Sequence, residues 1–265
     1  NFFTCNLSQI NQPVANAEIG ETVIFEAPSA IGGIFDSKGK NSWNSEKANP
    51  MCGPLKINSI SASDTIAVFI KKIKPVGFGL AGNTVFKPIK NKLRFMDGLE
   101  VPLEPSIGCI GVAPESAKFA IDSMSSAEFG GNIDCRDFAP GSIIFLKSRI
   151  DGGMLSIGDV HLAMGDGEVE GCGVESAADI TVKIGKLKCP AINTPWLIYK
   201  GEIMAIASER DIGLAIHNAY ESLLELCMKL FTVERLDVMR RMNPSGSVKL
   251  SMLLSCENDS CLSSA

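Results

Sequence analysis

Long basic runs, long apolar runs and closely paired cysteines are missing from this chain, and histidine is nearly so, with two in 265 residues. Lys and Arg total 25 against 30 Asp and Glu, a formal charge of -5, and no basic run exceeds the pairs Lys71-Lys72 and Arg240-Arg241. Such a balance opposes attraction to a phosphate backbone or an anionic lipid surface, so neither nucleic acid nor membrane is expected as a partner. No eighteen consecutive residues are apolar, which excludes a spanning helix. The opening stretch, NFFTCNLSQINQP, has neither a basic n-region nor an apolar h-region, and the expected location is cytoplasmic. Nine cysteines form no C-x-x-C pair, so a zinc ribbon and a thioredoxin-like motif are excluded. Buried thiols are expected instead; Cys256 and Cys261 are near enough in sequence to pair on oxidation.

What is present is 45% hydrophobic content, enough for a substantial core, distributed in short β-like runs between Gly, Pro, Asn and Asp. The clearest runs are residues 22–25, 65–70, 107–112, 142–146 and 180–184. No helix-length amphipathic segment separates them, so a mainly β, antiparallel sandwich or barrel-like body is expected and a Rossmann fold is not. The character changes after Cys189-Pro190. Strands are expected at 196–199 and 203–206, then one long helix over about 209–231. Ser208 and Asp211 suggest a capping box there, and Ile212, Ile216, Ala219, Leu223, Leu226, Cys227 and Leu230 recur at helical spacing. The division is thus a β-rich body over 1–186, which would carry the chemistry, and an α+β part over 187–265. His217 falls beside the helical stripe and reads as a surface or packed residue.

The second histidine, His161, lies in a different setting. The segment 158–175, GDVHLAMGDGEVEGCGVE, surrounds it with Asp159, Asp166, Glu168 and Glu175 and intersperses glycines. Imidazole and carboxylates bind divalent cations or move protons, while glycines let a backbone approach closely. The active site is expected here. Simpler readings exist for individual residues: Asp166-Gly167 as a hairpin turn, Asn132 as a turn residue, and Asp159 as a capping acceptor.

Four pieces together resemble the acetamidase/formamidase family: NPMCGP at 49–54, PLEPSIGCIGVAP at 102–114, GGNID at 130–134, and GDVHLAMGDGEVEG at 158–171 with Glu175. They occur in the family's order and span most of residues 17–206. The resemblance implies a β-rich hydrolase that cleaves the C–N bond of short aliphatic amides to ammonia and a carboxylate. It also implies association with a divalent metal, zinc or calcium, and assembly into a homodimer or homotetramer. The chain departs from the family where Met252-Leu-Leu-Ser255 runs into Cys-Glu-Asn-Asp-Ser-Cys, and its N-terminal stretch lacks histidines seen in some members. These departures bear on oligomer contacts and on one wall of the site.

Amide hydrolysis needs activated water, oxyanion stabilisation and a proton for the leaving nitrogen. Asp134 and His161, joined by Glu175 or Asp159, are the expected metal ligands. Glu168, or Glu175 in its place, is the expected general base. Asn132 and the backbone of Gly130, Gly131, Gly165, Asp166 and Gly167 are the expected oxyanion and substrate contacts. Two alternatives stay open. A nucleophilic Cys172 or Cys135 would need a cation beside the thiol, and only Arg136 and His161 are at hand. A non-catalytic β-rich protein binding carbohydrate or another small ligand would use the acidic loops for a structural calcium ion, although calcium rarely recruits imidazole.

Overall fold

The computed structural model describes residues 2–116, 118, 120–187 and 192–252. Cys189-Pro190, the Cys256/Cys261 pair and the sequence beyond Met252 lie outside them. The architecture is mainly β and antiparallel, as expected, with two helices among the described residues, both towards the C-terminal end.

One sixteen-stranded sheet forms the body. Its main path runs through Ser126–Ala127, Gly130–Asn132, Ser106–Gly111, Leu155–His161, Glu175–Leu187, Thr65–Ala81, Ile143–Lys147, Trp196–Tyr199 and Glu202–Ala205. Thr22–Ala27 also pairs with Glu175–Leu187, and Met51–Ile57 with Leu155–His161, so the sheet branches and wraps around its own core. Ile66, Val68, Ile70, Ile107, Ile157, Ile180, Val182 and Ile184 form that core. The Trp196–Tyr199 and Glu202–Ala205 strands continue the same sheet on the far side of residue 187.

Two strands, Thr65–Ala81 and Glu175–Leu187, are much longer than the alternation suggests. Thr65–Ala81 has 17 residues, because a register shift opposite Thr181/Val182 leaves Lys71 unpaired and turns Lys71 and Lys72 both outward. That bulge breaks the period of two, so the alternation in the sequence ends at Ile70. Met51–Ile57 and Leu155–His161 were not expected as strands at all. Every residue of Leu155–His161 is buried, and a strand covered on both faces shows no alternation to read.

The long helix spans Ile212–Phe231. Its cap is Asp211, whose Oδ1 accepts the N–H of Leu214 at 2.8 Å, not the box beginning at Ser208. Leu226 anchors it against Phe145, Trp196 and Ile192, while Ile212 and Ile216 of the expected stripe are exposed. The second helix, Arg235–Ser245, has little apolar periodicity; Arg235 ties it to the first through two hydrogen bonds to Glu221 at 2.9 and 2.7 Å. His217 is exposed on the first helix.

Candidate active site

Strand register assembles the site. His161 ends its strand opposite Ser106 on one side and Glu175 on the other. One strand further, Cys109 faces Asn132 across one ladder and Gly158 across the next, so Asn132 and Asp159 are brought to the same region of the sheet. Asp134 follows Asn132 by two residues, and Asn49 lies two residues before Met51, which pairs with Gly158. Residues more than a hundred positions apart thereby meet.

Four carboxylates converge on one ring nitrogen. From His161 Nε2 it is 3.1 Å to Glu175 Oε1, 3.5 Å to Glu168 Oε1, 3.7 Å to Asp159 Oδ1 and 3.9 Å to Asp134 Oδ1. His161, Asp134, Asp159 and Glu168 are buried, and Glu175 is half-buried. Space for them is made by two glycines. A side chain at Gly108 would collide with the carboxylates of Asp159 and Asp134, and one at Gly173 would come within 2.7 Å of the His161 ring.

The backbone is held in an uncommon conformation at four of these positions: Asn49, Asp134, Asp159 and Glu168 have φ of 48°, 51°, 54° and 40°. Left-handed conformations are costly for residues other than glycine, about 1–3 kcal/mol each, and persist where surrounding structure enforces them. Asp159 adopts this conformation within a strand, where Gly108 on the neighbouring strand lies between the paired positions Ile107 and Cys109.

The electrostatics follow from crowding negative groups in a dry site. Burial, assisted by the charge of Asp159, pushes Asp134 up to about 7. Burial and the charge of Glu175 push Asp159 up to about 7, and burial and the charge of Asp134 push Glu168 up to about 8. For His161 burial opposes the charged ring, but Glu175, Asp159 and Asp134 outweigh it and raise the imidazole well above its ordinary value. A single imidazolium cannot neutralise four carboxylates; the site must hold extra protons or a further cation.

The donor set fits a divalent cation. Asp134, His161 and Glu168 form one group, and Asp159, His161 and Glu175 another, with ligand atoms within 4.8 Å of one another in each. Asp134 Oδ1, Asp159 Oδ1 and Glu175 Oε2 are buried with no hydrogen-bond partner among the described residues. Unsatisfied, inward-facing carboxylate oxygens are what an oxygen- and nitrogen-ligated cation would use.

Of the residues singled out in the sequence, His161, Asp134, Asp159, Glu168 and Glu175 meet here with Asn132. Asn132 Oδ1 accepts from Asn49 Nδ2 at 2.8 Å. Gly130 and Gly131 lie within the ladders to 110–111 and 126–127, close behind Asn132. The 165–167 turn is placed differently. The N–H of Gly167 donates to the carbonyl of Leu250, Asp166 is exposed and faces Arg136 at 3.5 Å, and a side chain at Gly165 would meet nothing within 4 Å. In this arrangement that turn holds the 248–252 segment, and Gly167 has no N–H left for an oxyanion.

Two residues were not anticipated, Asn49 and Cys109. Asn49 was read only as part of a matching motif, and Cys109 sits in the apolar-looking strand SIGCIG, where nothing local marks it. Its Sγ is 2.8 Å from Asn132 Oδ1 and 3.5 Å from Asp159 Oδ2. Burial, with the charges of Asp159 and Asp134, raises this thiol well above its ordinary value, so it is a donor and not a thiolate nucleophile. Burial raises the Cys135 thiol as well.

Known proteins share both the sequence motifs and the fold. Residues 111–208 match the model of the acetamidase/formamidase family. A formamidase-like protein of Schizosaccharomyces pombe is 47% identical over 62 residues, covering 23% of this chain and 15% of its own length. The acetamidase of Mycolicibacterium smegmatis is 33% identical over 99 residues, covering 35% and 24% respectively. Matched sequence thus spans a quarter or less of these curated relatives. The structural likeness extends much further: the crystal structure of an acetamidase from Yersinia enterocolitica superimposes with a TM-score of 0.86 at 29% identity, over 95% of this chain and 84% of that one. Its central segment is thus similar to the acetamidase/formamidase family, and nearly its whole length is similar to the fold of an acetamidase.

Proposed function

We propose that the protein hydrolyses the C–N bond of short aliphatic amides, formamide or acetamide, to ammonia and the carboxylic acid. The observation that carries this reading is the convergence of Asp134, Asp159, Glu168 and Glu175 on His161 Nε2, beside the amide of Asn132. The likeness to the acetamidase/formamidase family and to acetamidase structures supports the same reaction class.

In this reading Glu168 is the proton carrier. A carboxyl pushed up to about 8 exchanges its proton near neutral pH, so Glu168 can take a proton from the attacking water and return it to the departing nitrogen. Asn132 Nδ2 donates to the carbonyl oxygen as negative charge develops there. Water adds to the carbonyl carbon, the C–N bond breaks, and the nitrogen leaves as ammonia with the proton Glu168 carried. Asp134, Asp159, His161 and Glu175 are the residues that would hold a divalent cation, which supplies Lewis-acid polarisation of the carbonyl oxygen. An imidazole among the carboxylates favours zinc over calcium.

A cytoplasmic location and assembly into a homodimer or homotetramer belong to the same proposal. Support for the first is that Cys5, Cys52, Cys109, Cys135 and Cys227 are free thiols, as in a reducing compartment, and that no helix among the described residues is long and apolar enough to cross a membrane. Support for the second is the exposure of Ile212, Leu214 and Ile216 at the start of the long helix.

The test is ammonia release from formamide, acetamide and propionamide by preparations of measured metal content. Release proportional to enzyme, strongest for one of the shortest amides, is the expected result. Silence on all three with zinc or calcium bound would reject the reading.

A further inference from the structure

We propose that Asn49 is a positioning residue that decides which end of the Asn132 amide faces the reacting carbonyl. This rests on the amide-hydrolase reading of the site. A side-chain amide has a donor end and an acceptor end of nearly the same shape, so Asn132 can serve an oxyanion only if something selects its orientation.

The surrounding contacts make that selection in two steps. Asn49 Nδ2 donates to Asp159 Oδ2 at 3.1 Å and to Asn132 Oδ1 at 2.8 Å, which uses both of its N–H groups. Turning the Asn49 amide over would set its oxygen against two other acceptors, so the carboxylate of Asp159 fixes Asn49. Asn49 in turn fixes Asn132, and the Cys109 thiol, 2.8 Å from the same Asn132 Oδ1, adds a second donor on that side.

With Oδ1 committed, the planar amide of Asn132 directs Nδ2 the other way. Its partner there, among the described residues, is the Met252 thioether at 3.8 Å, a weak acceptor that a substrate carbonyl oxygen would readily replace. Asn49 is itself held firmly. It is buried, its N–H donates to the Ala30 carbonyl at 2.7 Å, and its φ of 48° lies in the left-handed region that asparagine tolerates better than most residues. The pattern is a relay of amide orientation from Asp159 through Asn49 to Asn132.

A double-mutant cycle on the metal-loaded enzyme tests this. Asn49→Gly keeps the backbone conformation and removes the donor. It is expected to lower kcat for the best short amide by about 10²-fold, comparable to the loss of one oxyanion donor, with little change in KM. In an Asn132→Ala background, where no amide remains to be oriented, the same substitution should change kcat by no more than about twofold. Should Asn49→Gly not fold, Asn49→Ala removes the same donors, and the same two effects are expected. Equal losses in both backgrounds, or unchanged kcat in the folded single variant, would overturn the relay while leaving the hydrolase reading intact. Wild type inactive on every short amide would instead remove the reading and the relay together.

Discussion

His161 and Glu175 are direct partners across neighbouring antiparallel strands, and His161 Nε2 lies 3.1 Å from Glu175 Oε1. The pairing sets the imidazole at the end of a strand whose residues are all buried, with Glu168, Asp159 and Asp134 completing the ring of acceptors. A site built from strand pairing needs no flexible side chain to reach across a gap, which suits chemistry that depends on fixed distances.

Removing the proposed proton carrier, or the imidazole of the proposed cation-holding set, should cut turnover sharply without unfolding the protein. Glu168→Gln and His161→Ala are each expected to reduce kcat by about 10²–10⁴-fold. Ammonia release, with circular dichroism on the same samples, checks this. Near-normal activity in either folded variant removes that residue from the mechanism.

Stability without metal should fall as pH rises. Asp134 and Asp159 are pushed up to about 7 and Glu168 to about 8, whereas unfolded carboxyls titrate at about 4. Between those limits the folded protein holds more protons than the unfolded chain, so this stabilisation is present at low pH and lost as pH climbs through 7 to 8. His161, raised well above its ordinary value, acts in the same direction. The chelator-treated protein is therefore expected to have a lower Tm at about pH 8.5 than at about pH 5.5, and added zinc should reduce the difference. A Tm independent of pH in this window would mean that the carboxylates are neutralised in another way.

Cysteine should not be the nucleophile. The Cys109 thiol is fully enclosed and stays protonated, and the Cys135 thiol is raised by burial. Cys172→Ala is expected to keep activity within a few-fold, and iodoacetamide should leave the native enzyme active. A dead Cys172→Ala variant, together with full activity in metal-free wild type, would replace the mechanism with a thiol one.

The helix is docked by a stack of rings. Phe145 and Trp196 lie with centroids 3.7 Å apart and planes 8° from parallel, and Leu226 packs on them. Phe145→Ala removes one ring from this buried cluster and is expected to destabilise the protein by about 3–5 kcal/mol. Denaturant unfolding followed by tryptophan fluorescence measures it.

By itself, the sequence determined the β-rich class, the long C-terminal helix and the neighbourhood of the candidate site. Each depends on local signals: alternation with turn residues, a 3.6-residue stripe from Ile212 onward, and His161 among clustered acids. Where alternation failed, so did the reading. The bulge at Lys71 concealed most of Thr65–Ala81, and two-sided burial concealed Leu155–His161. Only the tertiary structure decided that Asn49 and Cys109 belong to the site and that the 165–167 turn holds the 248–252 segment. Those assignments depend on which strands lie side by side and in what register. A local pattern carries no record of a partner 83 residues away, the separation between Asn49 and Asn132.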